Sequence, residues 1–128
     1  MRVSKLSELF DVSYGNKFDL NKMNRCEDGE EGINFVSRKS KNLGVEAIVK
    51  RYRDAEPYPA GSITVALGGA ILSSFVQPKP FYTAQNIVIL TPKKEMSFQE
   101  KVFYCLCISK NRWRRPFLGM TSLFLALE

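Results

Sequence analysis

Residues Pro59 to Pro92 read PAGSITVALGGAILSSFVQPKPFYTAQNIVILTP, a stretch in which Lys79 is the single charged side chain. Ile63, Val65 and Leu67 alternate with Thr64 and Ala66, the period of a β-strand. Gly68-Gly69 then offers positive φ or a close backbone approach, and Ile71 to Val76 resumes as a second strand, so a tight hairpin or bulged bend is expected. Pro78-Lys79-Pro80 must turn, because proline is excluded from central strands. Ile87 to Leu90 make a further strand, buried on both faces and ending at Thr91-Pro92. Tyr82, Thr83, Gln85 and Asn86 precede that strand, and the Gln85-Asn86 pair suits a local amide network as well as it suits a partner.

Toward the C-terminus, Ser97-Phe98-Gln99-Glu100 is a capping box. The helix it opens puts Phe98, Val102, Cys105, Leu106 and Ser109 on one face and ends near Lys110-Asn111. Arg112-Trp113-Arg114-Arg115 follows, either a grip on phosphates or a basic cluster at a helix C-terminus. Phe117 to Glu128 is apolar but broken by Gly119.

Toward the N-terminus, Arg51 to Pro59 is a charged, proline-bearing connection. Before it, Val45, Ile48 and Val49 form one strand and Ile33, Phe35 and Val36 another, with Val36 one residue off the alternation. The basic segment Ser37 to Asn42 and Gly44 turn between them. Asn24 to Gly32 is an acidic loop, and Asp19 to Met23 makes a helical turn with Asp19 at its start. Leu6, Leu9 and Phe10 have helical spacing, with Ser4 or Ser7 as cap, before Val12 and Tyr14 alternate as a strand. Strands followed by one helix, without βαβ alternation, indicate the α+β class.

The chain has 128 residues, 45% of them hydrophobic and 25% charged, which fits one globular domain. Its formal charge is +6 and its pI about 9.3, which favours an anionic partner and disfavours an acidic DNA mimic. Cys26, Cys105 and Cys107 lack CxxC spacing and the chain has no histidine, so neither a disulfide framework nor a zinc site is expected. Without an apolar leader or spanning segment, the expected protein is soluble and cytoplasmic, with no membrane partner.

Catalytic signals are sparse. The commonest general base is missing, there is no nucleophile elbow, and Gly68-Gly69 lacks a phosphate-binding lysine motif. Asp54 and Glu56 resemble nuclease carboxylates in composition, but they sit in a charged connection where solvated carboxylates are the ordinary occupants. Nucleic-acid contact is better supplied. Phosphates are met by Lys, Arg and small donors, and base edges by Arg, Lys, Asn or Gln. Arg38, Lys39, Ser40, Lys41 and Asn42 bring both sorts into one loop, whose charge is equally that of a solvated turn.

LSELFDVSYGNKFDLNKM, GINFVSRKSKNLGV, YPAGSITVALGG, YTAQNIVILTP and SFQEKVFYCLCISKNRWR occur in an order that resembles target recognition domains. Such domains belong to type I restriction-modification specificity subunits and related fused enzymes. The resemblance covers about residues 3 to 115 and implies a recognition domain over 1–115, with 116–128 as an apolar tail. It implies an α+β fold with a curved, partly barrel-like β-sheet, a short N-terminal helix and one amphipathic C-terminal helix. It further implies a non-catalytic domain that recognises half of a bipartite double-stranded DNA target. Within it, Lys17, Arg38, Lys39, Lys41, Arg112 and Arg114 are expected at phosphates, and Asn16, Ser40, Asn42 and Lys79 near base edges. No cofactor or metal is implied in this domain; S-adenosylmethionine and ATP belong to partner methyltransferase and restriction subunits. Family members carry long helices that residues 116–128 are too few to supply. Two assemblies therefore stay open: association with those subunits, or a recognition-fold remnant whose apolar tail pairs with a second copy as a homodimer.

Overall fold

The computed structural model describes residues 6–111. Arg112, Trp113, Arg114, the tail and Ser4 lie outside the described residues. Along the chain run α1 (Leu6–Leu9), β1 (Phe10–Tyr14), a 3-10 turn (Leu20–Lys22), β2 (Ile33–Val36), a second 3-10 turn (Asn42–Gly44) and β3 (Val45–Val49). They are followed by β4 (Ile63–Ala66), β5 (Ser74–Val76), β6 (Phe81–Thr83), β7 (Ile87–Pro92) and α2 (Phe98–Lys110). No described helix is long and apolar enough to cross a membrane.

The α+β class holds, with a short helix first and a longer one last. The strands divide into two sheets, an antiparallel one ordered β1-β7-β4-β5 and a mixed one ordered β3-β2-β6, in which β2 and β6 are parallel. Period-two alternation explains why β7 reads as continuously apolar. Val88 and Leu90 pack with Phe10, Ile63, Val65, Cys105 and Ile108 in the core beneath α2. Ile89 points the other way, into a cluster with Val36 and Phe81 that joins the two sheets. A third cluster of Met23, Phe35, Val49 and Tyr82 supports the mixed sheet.

Three expectations are corrected. The run from Ile71 to Val76 is a strand only from Ser74, because Leu72 adopts φ 63° to bury its side chain while its carbonyl accepts from Ser74 Oγ and Ser109 Oγ. The sequence places no strand at Phe81–Thr83, yet this is β6, buried along its whole length beside β2. In α2 the buried residues are Cys105 and Ile108, whereas Phe98 and Leu106 are 64% and 59% exposed. The helix is apolar on several sides, so the spacing of its apolar residues leaves its rotation undecided.

Local signals elsewhere hold. Ser97 Oγ accepts from the Glu100 amide and donates to the Glu100 carboxylate, both at 3.1 Å. Asp19 caps the first 3-10 turn by accepting from the Asn21 amide at 3.0 Å. Val36 falls off the alternation because the β2–β3 register shifts between Phe35 and Val36.

Candidate nucleic-acid interface

The parallel pair β2 and β6 sends both C-terminal ends to one place. Ser37, Arg38 and Lys39 leave β2 there and Ala84 and Gln85 leave β6. Together with Lys17 to Asn21 and Arg25 they line an open groove of about 780 Å³. Its charged lining is Lys17, Arg25, Arg38 and Lys39 against Asp19 and Glu46. Among the described residues no carboxylate pairs with those four cations, whereas Lys50 meets Glu30 at 3.8 Å and Arg51 is paired with Glu56. The hydrogen bond and charge of Glu56 raise the Arg51 guanidinium pKa. The unpaired cations of the groove are those free to meet an external anion.

Backbone contacts place the two arms of the groove. On one side Asn16 Oδ1 accepts from the Thr83 amide and the Asn16 carbonyl accepts from Thr83 Oγ1, both at 3.1 Å. Phe18 is inserted between Tyr52 and Tyr82, and Lys17, between those anchors, is exposed. On the other side the Arg38 carbonyl accepts from the Ala70 amide at 2.9 Å. A Cβ at Gly69, whose φ is +58°, would lie 2.7 Å from that carbonyl oxygen. A Cβ at Gly68 would lie 3.1 Å from the Arg38 guanidinium. The Gly-Gly pair therefore supplies both things expected of it, left-handed backbone at Gly69 and room for a close approach. What approaches is the residue that carries a cation into the groove.

Of the sequence-derived candidates, Lys17, Arg38 and Lys39 line the groove together. Ser40 and Lys41 are exposed on the adjoining loop and outside that lining. Asn42 is also exposed, with φ 53° and its Nδ2 donating to the Val45 carbonyl at 3.2 Å. Asn16 is committed to Thr83 as described. Lys79 is exposed on the turn before β6, at the opposite end of that strand from Gln85, and is not brought into the groove. Arg112 and Arg114 fall outside the described residues. Sequence reasoning passed over Arg25 and Asn21. Arg25 is hidden beside the acidic loop, and only its bridge to Val49 on the edge of β3 shows where it goes. Asn86 takes φ 60° at the β6–β7 turn, a conformation asparagine tolerates, while Gln85 stays exposed in the groove.

Residues 1–123 match the family described as type I restriction modification DNA specificity domain. Over 92 residues the chain is 28% identical to the type II restriction enzyme specificity subunit S.BcgI of Heyndrickxia coagulans, covering 72% of this chain and 26% of that subunit. The fold is similar to the HsdS subunit of Thermoanaerobacter tengcongensis, with a TM-score of 0.69, 14% identity and coverage of 96% of this chain and 30% of that one. It is also similar to the type I restriction-modification S subunit of M. genitalium, with a TM-score of 0.66, 15% identity and coverage of 94% and 31%. The chain thus spans about a quarter to a third of the length of these proteins.

Proposed function

The chain belongs to the type I restriction modification DNA specificity domain family, and on that premise we propose that it recognises a sequence in double-stranded DNA without catalysing a reaction itself. One observation carries the reading. Lys17, Arg25, Arg38 and Lys39 converge on a groove that also presents Asn21 and Gln85, so phosphate donors and base-reading amides share one surface. Such a surface gains affinity by displacing counterions and gains discrimination from amide and guanidinium contacts to base edges. Lys41, on the adjoining loop, extends the cationic rim beyond the groove, and Ser40 beside it adds an exposed hydroxyl.

In the same reading the domain acts inside the cytoplasm as part of a specificity subunit. Methyltransferase and restriction subunits are its partners, and they supply the S-adenosylmethionine and ATP chemistry. The competing reading, a homodimerisation module acting through the apolar tail, concerns residues outside those described. A randomised duplex library tests the proposal. Enrichment of a defined sequence is expected, with affinity falling as salt rises. Absence of both enrichment and low-salt binding refutes it.

A further inference from the structure

Gln77 is fully buried, polar and outside the groove. Its backbone is fixed to the start of β4, its amide donating to the Ser62 carbonyl at 3.0 Å and its carbonyl accepting from Gly61 at 2.7 Å. Its side chain leaves that sheet for the basic loop. Nε2 donates to the Leu43 carbonyl at 2.8 Å and to Thr64 Oγ1 at 2.9 Å. Oε1 has no hydrogen-bond partner among the described residues. Burying an amide with one end unsatisfied is destabilising, and an apolar side chain of similar size would fill the space without that loss. The donor contact to the loop is what the glutamine adds.

That contact falls on strained backbone. Leu43 holds φ of 57°, a left-handed region unfavourable for leucine and kept only where the surroundings impose it, next to Asn42 at 53°, which asparagine tolerates. The far end of the loop is held by Arg38 on Ala70, and its neck by Ser37 on the Gly44 carbonyl at 2.8 Å. The loop from Arg38 to Leu43 is therefore clamped to the β4–β5 hairpin at both ends, while Lys39 to Asn42 present their side chains to solvent.

We propose that Gln77 is a positioning residue for sequence discrimination: it fixes the backbone from which the basic loop reads DNA, and contributes nothing to the charge that attracts DNA. This inference rests on the DNA-recognition reading above. The test compares the full chain and Gln77→Met, which keeps the volume and removes the donor. Each is titrated with the duplex selected by the wild type and with a scrambled duplex, over a range of salt. For Gln77→Met the expected result is about a tenfold loss in the selected-to-scrambled affinity ratio, from the one lost hydrogen bond. Scrambled-duplex affinity and salt slope stay at wild-type values.

An unchanged ratio, or an equal fall for both duplexes, overturns the positioning role and leaves the DNA reading intact. A wild type that selects no sequence and shows no salt-dependent binding overturns the DNA reading and this inference with it. Should Gln77→Met lose cooperative thermal unfolding, Gln77→Asn takes its place, since its shorter amide stays polar but does not reach Leu43. The same outcomes apply, and failure of both variants to fold makes Gln77 structural and overturns the proposal.

Discussion

Along β7 every side chain from Ile87 to Leu90 is buried, whereas along the loop from Lys39 to Leu43 every side chain is exposed. The strand is held by what surrounds it, α2 on one face and the mixed sheet on the other. The loop is held by what reaches its backbone, the Ala70 amide at Arg38 and the Gln77 amide at Leu43. Burial of side chains and clamping of main chain are different ways to order a segment, and they leave different surfaces. The first leaves none for a partner; the second leaves Lys39, Ser40 and Lys41 exposed to meet one, with Asn42 Nδ2 spent on the Val45 carbonyl.

The comparison breaks most visibly in β7. Leu90→Ala removes a fully buried side chain from the core under α2, and a loss of about 2–5 kcal/mol is expected in urea unfolding. A loss near zero would mean that the four-stranded sheet is not the scaffold.

Tyr82 probes the boundary between the two regimes. Its hydroxyl donates to the Ala55 carbonyl at 2.7 Å and accepts from the Tyr52 amide at 3.1 Å, tying the charged connection Arg51 to Pro59 to the mixed sheet. Tyr82→Phe keeps the ring and strands both partners, so about 1–3 kcal/mol is expected, with hydrogen exchange accelerating at Tyr52. A change confined to unrelated amides would sever that connection from the sheet's stability.

The smallest effect separates the cysteines. Burial pushes the Cys105 thiol up to about 12, against an ordinary 9.0. Folded Cys105 therefore keeps its proton where the unfolded thiol loses it, and this contribution to stability declines as pH rises above the ordinary value. At pH 8 alkylation should spare Cys105 and reach the partly exposed Cys26 and Cys107 before it, read by mass spectrometry of labelled peptides. Equal labelling rates would contradict the burial of the α2 face.

The same contrast explains what the amino-acid sequence reveals. Buried strands and caps are written locally: the alternation of Ile63 to Leu67, the apolar run of Ile87 to Leu90 and the Ser97–Glu100 box are each visible within a few residues. Short or rotated elements are less so. Phe81–Thr83 is three residues long and draws its strand identity from β2, which is remote in sequence. Phe98, Val102, Phe103 and Leu106 make α2 apolar on more than its buried side.

In the groove, Arg38 and Lys39 stand out as charge, and Lys17 follows the Gly15-Asn16 turn. Arg25 is masked by the acids that follow it. Gln77 acts on Leu43 across 34 positions and leaves no local pattern at all. Local signals identify the cations, while the clamps that orient them are tertiary.

The most direct measurement is the salt dependence of duplex binding by the wild type and by a triple variant, Lys17→Ala, Arg38→Ala and Lys39→Ala. The wild type should show logarithmic affinity falling linearly with logarithmic salt. In the triple variant the slope should be shallower by about 0.9 for each phosphate contact removed, up to about 2.7 in all. Stability should hardly move, since these side chains lie outside the buried core. Identical slopes in the two proteins, or a wild type with no salt-dependent binding, would contradict the assignment of the groove to DNA.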